Sequence, residues 1–230
     1  MLSLTGALGI AELAFQQISA LEREFRVLAP DYPPAGSIGE LVEGAVAILD
    51  AEGVKAAHVT GGSFGGMVAQ ELVRRHPDRV RSLVLSHTAP PRPGKGGRWI
   101  PRLMAALPMP LLRRLVSAKL RGTFQGADPF WERWFDEVIG RVSKAGLLSR
   151  VRVAAEFAEM RYGPGDLAAW PGRMLIVDSD ADPMFTREGQ GSLRALYPTA
   201  AVHTFRGTGH SAAILQPDAY AAVIRGFLTG

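Results

Sequence analysis

Ala57-His58-Val59-Thr60-Gly61-Gly62-Ser63-Phe64-Gly65-Gly66-Met67-Val68-Ala69-Gln70 decides how the whole chain is read. A short β-branched run meets a helical pattern at a serine flanked by glycines, which fits the G-x-S-x-G turn that lifts a nucleophile out of a sheet. The glycines answer a steric need, because small neighbours let the strand and the helix backbones approach closely. The serine hydroxyl then stands at the C-terminal edge of the sheet. The helix that follows turns its free N–H groups and its positive dipole end toward the same point, where a developing oxyanion would be stabilised.

Outward from this stretch, short apolar runs alternate with helical patterns. Met1–Thr5, Phe25–Ala29, Ala57–Thr60, Val80–Ser86, Arg173–Val177 and Ala201–Phe205 read as strands. Helices are expected near Ile10–Glu22, Ser37–Glu52, Gly65–Arg75, Arg187–Leu196 and Ser211–Leu228. This β–α alternation predicts an α/β fold, a mostly parallel sheet with helices on both faces. Residues 90–165 break the rhythm. They carry helical patterns near Trp99–Leu107, Leu111–Arg121, Pro129–Val142 and Leu147–Arg161, with no convincing strand. The expected organisation is a core of residues 1–89 and 166–230 with a helical insert, 90–165.

The formal net charge of +4 is unevenly spread: residues 90–165 hold 14 Lys/Arg against 6 Asp/Glu. A basic insert suits an anionic or amphiphilic substrate or a membrane surface, although solvated faces of amphipathic helices produce the same balance. No aromatic-interleaved basic stripe points to nucleic acid. The 230 residues, 47% hydrophobic, suffice for one sizeable core. Cysteine is absent, which excludes a disulfide scaffold, a thiolate metal site and a cysteine nucleophile. No apolar run reaches the length of a membrane span, and Met1–Phe15 lacks the basic start of a secretion signal, so a soluble, cytoplasmic protein is expected. No phosphate loop, dinucleotide fingerprint or metal-spaced cluster is visible, and neither cofactor nor metal is expected.

A serine nucleophile needs a histidine base, oriented by a carboxylate that comes between them in the chain for this turn. Asp178-Ser179-Asp180-Ala181-Asp182-Pro183 follows one strand and Gly207-Thr208-Gly209-His210-Ser211 follows the next. In a parallel sheet both loops emerge beside the serine turn. With GGSFGG at the turn, DSDADP and GTGHS, the chain resembles the α/β-hydrolase superfamily over nearly its whole length, and its insert matches that family's helical lid. The resemblance implies Ser63 as nucleophile, His210 as base and acid, and Asp182 as orienter because it precedes Pro183, with Asp180 the alternative. By position, the backbone N–H groups of Ala7 and Phe64 form the oxyanion hole. Thr5 stands where the family often has a histidine, which leaves the rigidity of the Thr5–Gly9 loop in question. No carboxylate follows the Val80–Ser86 strand, the alternative acid position of some relatives.

The implied activity is hydrolysis of a carboxylic ester or thioester of a small acyl compound. Carbon–carbon hydrolysis and cofactor-free peroxidase chemistry use the same constellation, whereas the serine argues against the carboxylate-dependent dehalogenases and epoxide hydrolases. A binding or adaptor protein is the alternative, since TGALG and Asp31-Tyr32-Pro33 are similar to the maspardin-like branch. His58, His76 and His203 read as structural, and His87 as at most a pocket wall. Trp99, Met104, Met109, Phe130, Trp131, Trp134 and Phe135 are candidates to line an acyl pocket, only some of them reaching substrate.

Relatives commonly place two further strands ahead of the one that here begins at Met1. Their apparent absence leaves Phe25–Ala29 as an apolar sheet edge, a pairing liability. The chain is then either a shortened form of the fold or one whose edge another protomer covers. An edge-to-edge or swapped homodimer is the expectation, and a clean monomer in light scattering at micromolar concentration would dispose of it.

Overall fold

The computed structural model describes residues 1–94, 97, 99–121 and 128–230. Lys95, Gly96, Arg98 and residues 122–127 of the basic stretch 90–165 lie outside the described residues. Five strands form one parallel sheet in chain order: β1 (Leu2–Leu4), β2 (Ala57–Gly62), β3 (Val80–Ser86), β4 (Arg173–Ser179) and β5 (Ala201–Phe205). Side chains alternate between the faces, so one strand feeds two cores. Leu83 and Leu85 of β3 and Met174 and Ile176 of β4 enter one cluster. Val84, Leu175 and Val177 enter the other.

The first face is covered by α2 (Ile38–Ala51), α3 (Phe64–Arg75) and α8 (Arg187–Leu196), whose Leu49, Leu72 and Leu193 join its cluster. The second is covered by α1 (Phe15–Leu21) and by a C-terminal pair, α9 (Ala212–Leu215) and α10 (Pro217–Thr229), through Leu21, Ala212 and Ile224. Ser37 accepts from the Glu40 N–H as the cap of α2, and Thr186 caps α8 at Gly189 in the same way.

Between β3 and β4 run α4 (Ile100–Ala106), α5 (Met109–Arg121), α6 (Pro129–Arg141) and α7 (Lys144–Ala158). Leu112, Phe135, Val138, Ile139 and Leu147 make a third cluster, which closes on Leu8 from the loop after β1. Two polar ties fasten α7 to the sheet body: Ser149 exchanges hydrogen bonds with the Ala35 backbone, and Glu156 accepts from the Ile38 N–H. Trp170 donates its indole N–H to Val80 O as the chain returns to the sheet. Among the described residues no helix is long and apolar enough to cross a membrane.

Three elements depart from the sequence reading, each for a local reason. Phe25–Ala29 is not a strand: Leu28 makes an isolated bridge, accepting from Ser3 N–H and donating to Met1 O, and Arg26 O accepts from the Met1 ammonium. The next ladder donor would be residue 30, which is proline and has no N–H to give. The helix expected near Ser211–Leu228 breaks at Gln216 (φ −136°, ψ 60°), because the residue before Pro217 is driven out of the helical region. The helix near Ile10–Glu22 opens as a tighter 3₁₀ turn, Ala11–Ala14, before α1.

Candidate active site

Ser63 sits between β2 and α3 at φ 51°, ψ −114°, a backbone that costs a side-chain-bearing residue energy and persists only when its surroundings hold it. Its N–H donates to Ser86 O (2.9 Å), and its carbonyl accepts from Gly66 N–H (3.0 Å) and Thr88 Oγ1 (2.8 Å). The close approach expected from the motif is literal at two glycines. A Cβ on Gly65 would lie 2.0 Å from Leu4 O, and one on Gly61 would lie 2.6 Å from Gly65 O. Gly62 meets nothing within 4 Å, so space does not require a glycine there.

Asp182 and His210 meet across the loops after β4 and β5. His210 Nδ1 lies 2.9 Å from Asp182 Oδ2, with the carboxylate side chain 0% and the imidazole 10% exposed. The other carboxylate oxygen accepts from the Met184 (2.7 Å) and Phe185 (3.1 Å) N–H groups. Burial alone would raise the Asp182 carboxyl. The His210 hydrogen bond and charge, with the two backbone donors, outweigh it and hold the group below the usual carboxylate range. Nδ1–H of His210 is thereby committed to Asp182, which leaves Nε2 as the nitrogen able to take a proton. Asp180 does other work, accepting from Gly207 N–H (2.8 Å) and bracing the loop that carries His210.

Ser63 and His210 line one cavity of about 420 Å³ with Gly6 and Ala7. Its walls are largely apolar, among them Leu13, Met104, Val116 and Ile214, with Lys119 and Arg150 as cations. Of the insert residues expected to line a pocket, Met104 and Phe135 do. Met109, Trp131 and Trp134 pack against the third core cluster, while Trp99 and Phe130 are exposed.

Ala7 is exposed at the cavity wall. Phe64 is the first residue of α3, so its N–H has no partner within the helix. The loop between Thr5 and Gly9 is held without a histidine. Tyr32 donates its hydroxyl to Thr5 O (3.1 Å) and its N–H to Gly9 O (2.8 Å). Burial raises the Tyr32 pKa, so the hydroxyl stays a donor. The Arg150 guanidinium donates in turn to the carbonyls of Tyr32 and Pro33. Sequence reasoning missed this role of both residues, since their partners lie 27 and about 117 positions away.

His87, immediately after β3, is the other residue whose place the sequence understated. It is buried, adopts φ 47°, lines the cavity, and packs its ring edge-on to His210 with centroids 5.8 Å apart. Nδ1 is 2.9 Å from Ser86 Oγ and Nε2 is buried without a partner among the described residues. Burial, reinforced by His210 and opposed by Asp182, drives its pKa down to about 3. The other histidines have structural partners: His58 meets Ser82 Oγ, His76 meets Glu43, and His203 packs on Phe205. Among the described residues no group of His, Asp and Glu is arranged to hold a metal ion.

A sheet in this order, with a strained serine turn after β2 and an Asp–His pair from the loops after β4 and β5, defines an α/β-hydrolase architecture. The alpha/beta hydrolase family model matches residues 7–223, and the chain belongs to that family. It is similar to 2-hydroxymuconate semialdehyde hydrolase of Pseudomonas putida, 27% identical over 222 residues, spanning 88% of this chain and 76% of that protein. Maspardin of Danio rerio is 31% identical over 202 residues, 84% of this chain and 62% of that one. Among solved structures, an enol-lactonase from Burkholderia xenovorans LB400 superposes with a TM-score of 0.83 at 21% identity, covering 100% of this chain and 91% of that one. That likeness bears on the fold.

Two outcomes are expected. Gly65→Ala should destabilise the protein by about 3 kcal/mol or more in urea unfolding, because its Cβ meets backbone, whereas Gly62→Ala should cost under about 1 kcal/mol. His87 is neutral in the fold, while the unfolded chain protonates near the ordinary value of about 6.5. The unfolded state therefore binds the extra proton below that value, and the contribution is lost as pH falls from about 6.5 toward 3. Stability should drop by about 2 kcal/mol between pH 7 and 5, and His87→Asn, which tolerates φ > 0, should flatten that slope. Parallel curves for the two proteins would contradict the assignment.

Proposed function

We propose that this chain is a serine hydrolase that cleaves a carboxylic ester or thioester through an acyl-enzyme on Ser63. One observation carries the reading: His210, held by a buried hydrogen bond to Asp182, lines the same cavity as a serine held in a strained turn. Ser63 Oγ attacks the acyl carbon while His210 Nε2 takes its proton. The Ala7 and Phe64 N–H groups receive the negative charge on the carbonyl oxygen. His210 returns the proton to the leaving oxygen or sulfur, and Asp182 steadies the imidazolium and fixes its tautomer. A water molecule, deprotonated by His210, then releases the acid and restores Ser63. The helices within 90–165 act as a lid over the acyl pocket.

A second reading draws on the Pseudomonas putida relative, whose name describes a hydrolase of 2-hydroxymuconate semialdehyde. The same serine and histidine would then serve carbon–carbon cleavage, with Lys119 and Arg150 at the cavity wall suited to an anionic substrate. The maspardin likeness keeps an adaptor reading in play, in which Ser63 need not react.

The test is hydrolysis of p-nitrophenyl acetate, butyrate and octanoate together with fluorophosphonate labelling. Turnover and labelling should vanish together in Ser63→Ala, and the apolar cavity should favour butyrate and octanoate over acetate. Asp182→Asn should lower kcat by about 10⁴-fold, because the imidazole loses its tautomer. Labelling without ester turnover would favour the carbon–carbon reading. Absence of both signals in a folded protein would overturn the enzyme reading.

A further inference from the structure

Between Asp78 and Asp128 the chain carries no acidic residue, while residues 90–127 carry eight Lys/Arg. That stretch contains α4 and α5, and it also holds most of the large apolar side chains exposed among the described residues. Trp99 is 64%, Leu103 56% and Leu115 50% exposed, and Ile100 and Leu111 stand out beside them. Leu111 and Leu115 are four residues apart on α5, and Ile100 and Leu103 three apart on α4, so each helix shows solvent an apolar strip. Exposed cations border the strips: Arg102 on α4, and Arg114 and Lys119 on α5. None of these three has an ion-pair partner among the described residues, in contrast to Arg121, which meets Asp136.

We propose that the outward faces of α4 and α5 dock on an anionic phospholipid bilayer. Two demands have to be met at once. The aliphatic strips gain free energy only by leaving water, and the cations beside them, which form no ion pair among the described residues, call for a dense array of anions. A bilayer surface supplies acyl chains below and phosphate and carboxylate head groups above, at the depth where a tryptophan such as Trp99 rests best. A nucleic acid offers the anions but no apolar phase for Leu103, Leu111 and Leu115. The surface also adjoins the candidate site: Leu115 and Lys119 are exposed and line the Ser63 cavity, and Met104, Val116 and Leu120 of the same helices form its wall. Docking would hold that cavity against the medium in which amphiphilic acyl compounds dissolve. The binding surface does not depend on the role of Ser63.

The experiment is co-sedimentation with vesicles of phosphatidylcholine alone and of phosphatidylcholine with one-third phosphatidylserine, at low and at half-molar salt. Wild-type protein should partition onto the anionic vesicles, release in high salt, and show a blue-shifted tryptophan emission that Trp99→Phe largely removes. The double variant Arg102→Gln/Arg114→Gln should bind about 30-fold more weakly, from about one kcal/mol per cation near an anionic surface. Leu103→Ser/Leu111→Ser should abolish partition. None of these four positions lines the cavity, so both variants should keep wild-type thermal unfolding and any turnover of a soluble p-nitrophenyl ester. Partition that ignores head-group charge, partition unchanged in the variants, or none at all would overturn the proposal. So would a dimer in light scattering that Leu103→Ser/Leu111→Ser dissociates while vesicles bind nothing, since the face would then belong to a second copy of the chain. Loss of ester turnover in Ser63→Ala with vesicle binding intact keeps this test separate from that of the nucleophile.

Discussion

The contact between α3 and the end of β1 sets the geometry of everything around the cavity. Because Gly65 has no Cβ, the first turn of α3 lies directly against Leu4 O, and the two strand ends β1 and β2 are held beside one another. That closeness places Gly6 beside Ser63, where a Cβ on Gly6 would come to 3.9 Å from the Ser63 Cβ. It also brings the loop after β1, through Gly6 and Ala7, to the cavity that Ser63 lines. A helix set back by the width of a methyl group would separate that loop from the serine. The strained backbone of Ser63 is the counterpart of this packing, held by the bonds from Ser86, Gly66 and Thr88.

The acid and the histidine are positioned by a different device, a chain of small polar contacts between neighbouring loops. Asp180 braces Gly207, Thr208 Oγ1 meets Ser179 Oγ, and Gln190 donates to the carbonyls of Ser179 and Phe185. Each bond is ordinary in strength, and together they allow Asp182 and His210 to meet in a nearly water-free setting. Two neighbouring rings complete the setting: Phe185 packs on His210 from one direction and His87 from another. The buried His87 remains neutral, so it adds no positive charge beside His210.

Legibility in the sequence tracked the range of the interactions involved. Val80–Ser86 and Ala201–Phe205 coincide with β3 and β5, and Arg187–Leu196 with α8, because their periodicity and end signals are local. That Ser63, Asp182 and His210 each follow a strand was readable for a similar reason. Ranges failed where proline altered the backbone, at Pro30 and Pro217. The pinning of the loop after β1 by Tyr32 and Arg150 was hidden because nothing in Thr5–Gly9 announces its partners. His87 was underrated for the same reason: its burial comes from β4 and the His210 loop, which lie far along the chain. Among the aromatic and Met residues of the insert, helical spacing did not separate Met104 and Phe135, which reach the cavity, from Trp99, which faces solvent.

The pairing of β3 with β4 across the whole helical stretch carries a consequence for how such a chain can change over time. The two strands stay in register, Ser82 opposite Arg173, whatever lies between them, and Trp170 secures the return against Val80. Closing a loop costs only about 0.6 kcal/mol more each time its length doubles. Helices between these strands can therefore be lengthened, shortened or exchanged at little thermodynamic expense, while Ser63, Asp182 and His210 keep their places on the sheet. Variation in what the cavity admits is separated in this way from the inheritance of the machinery beneath it.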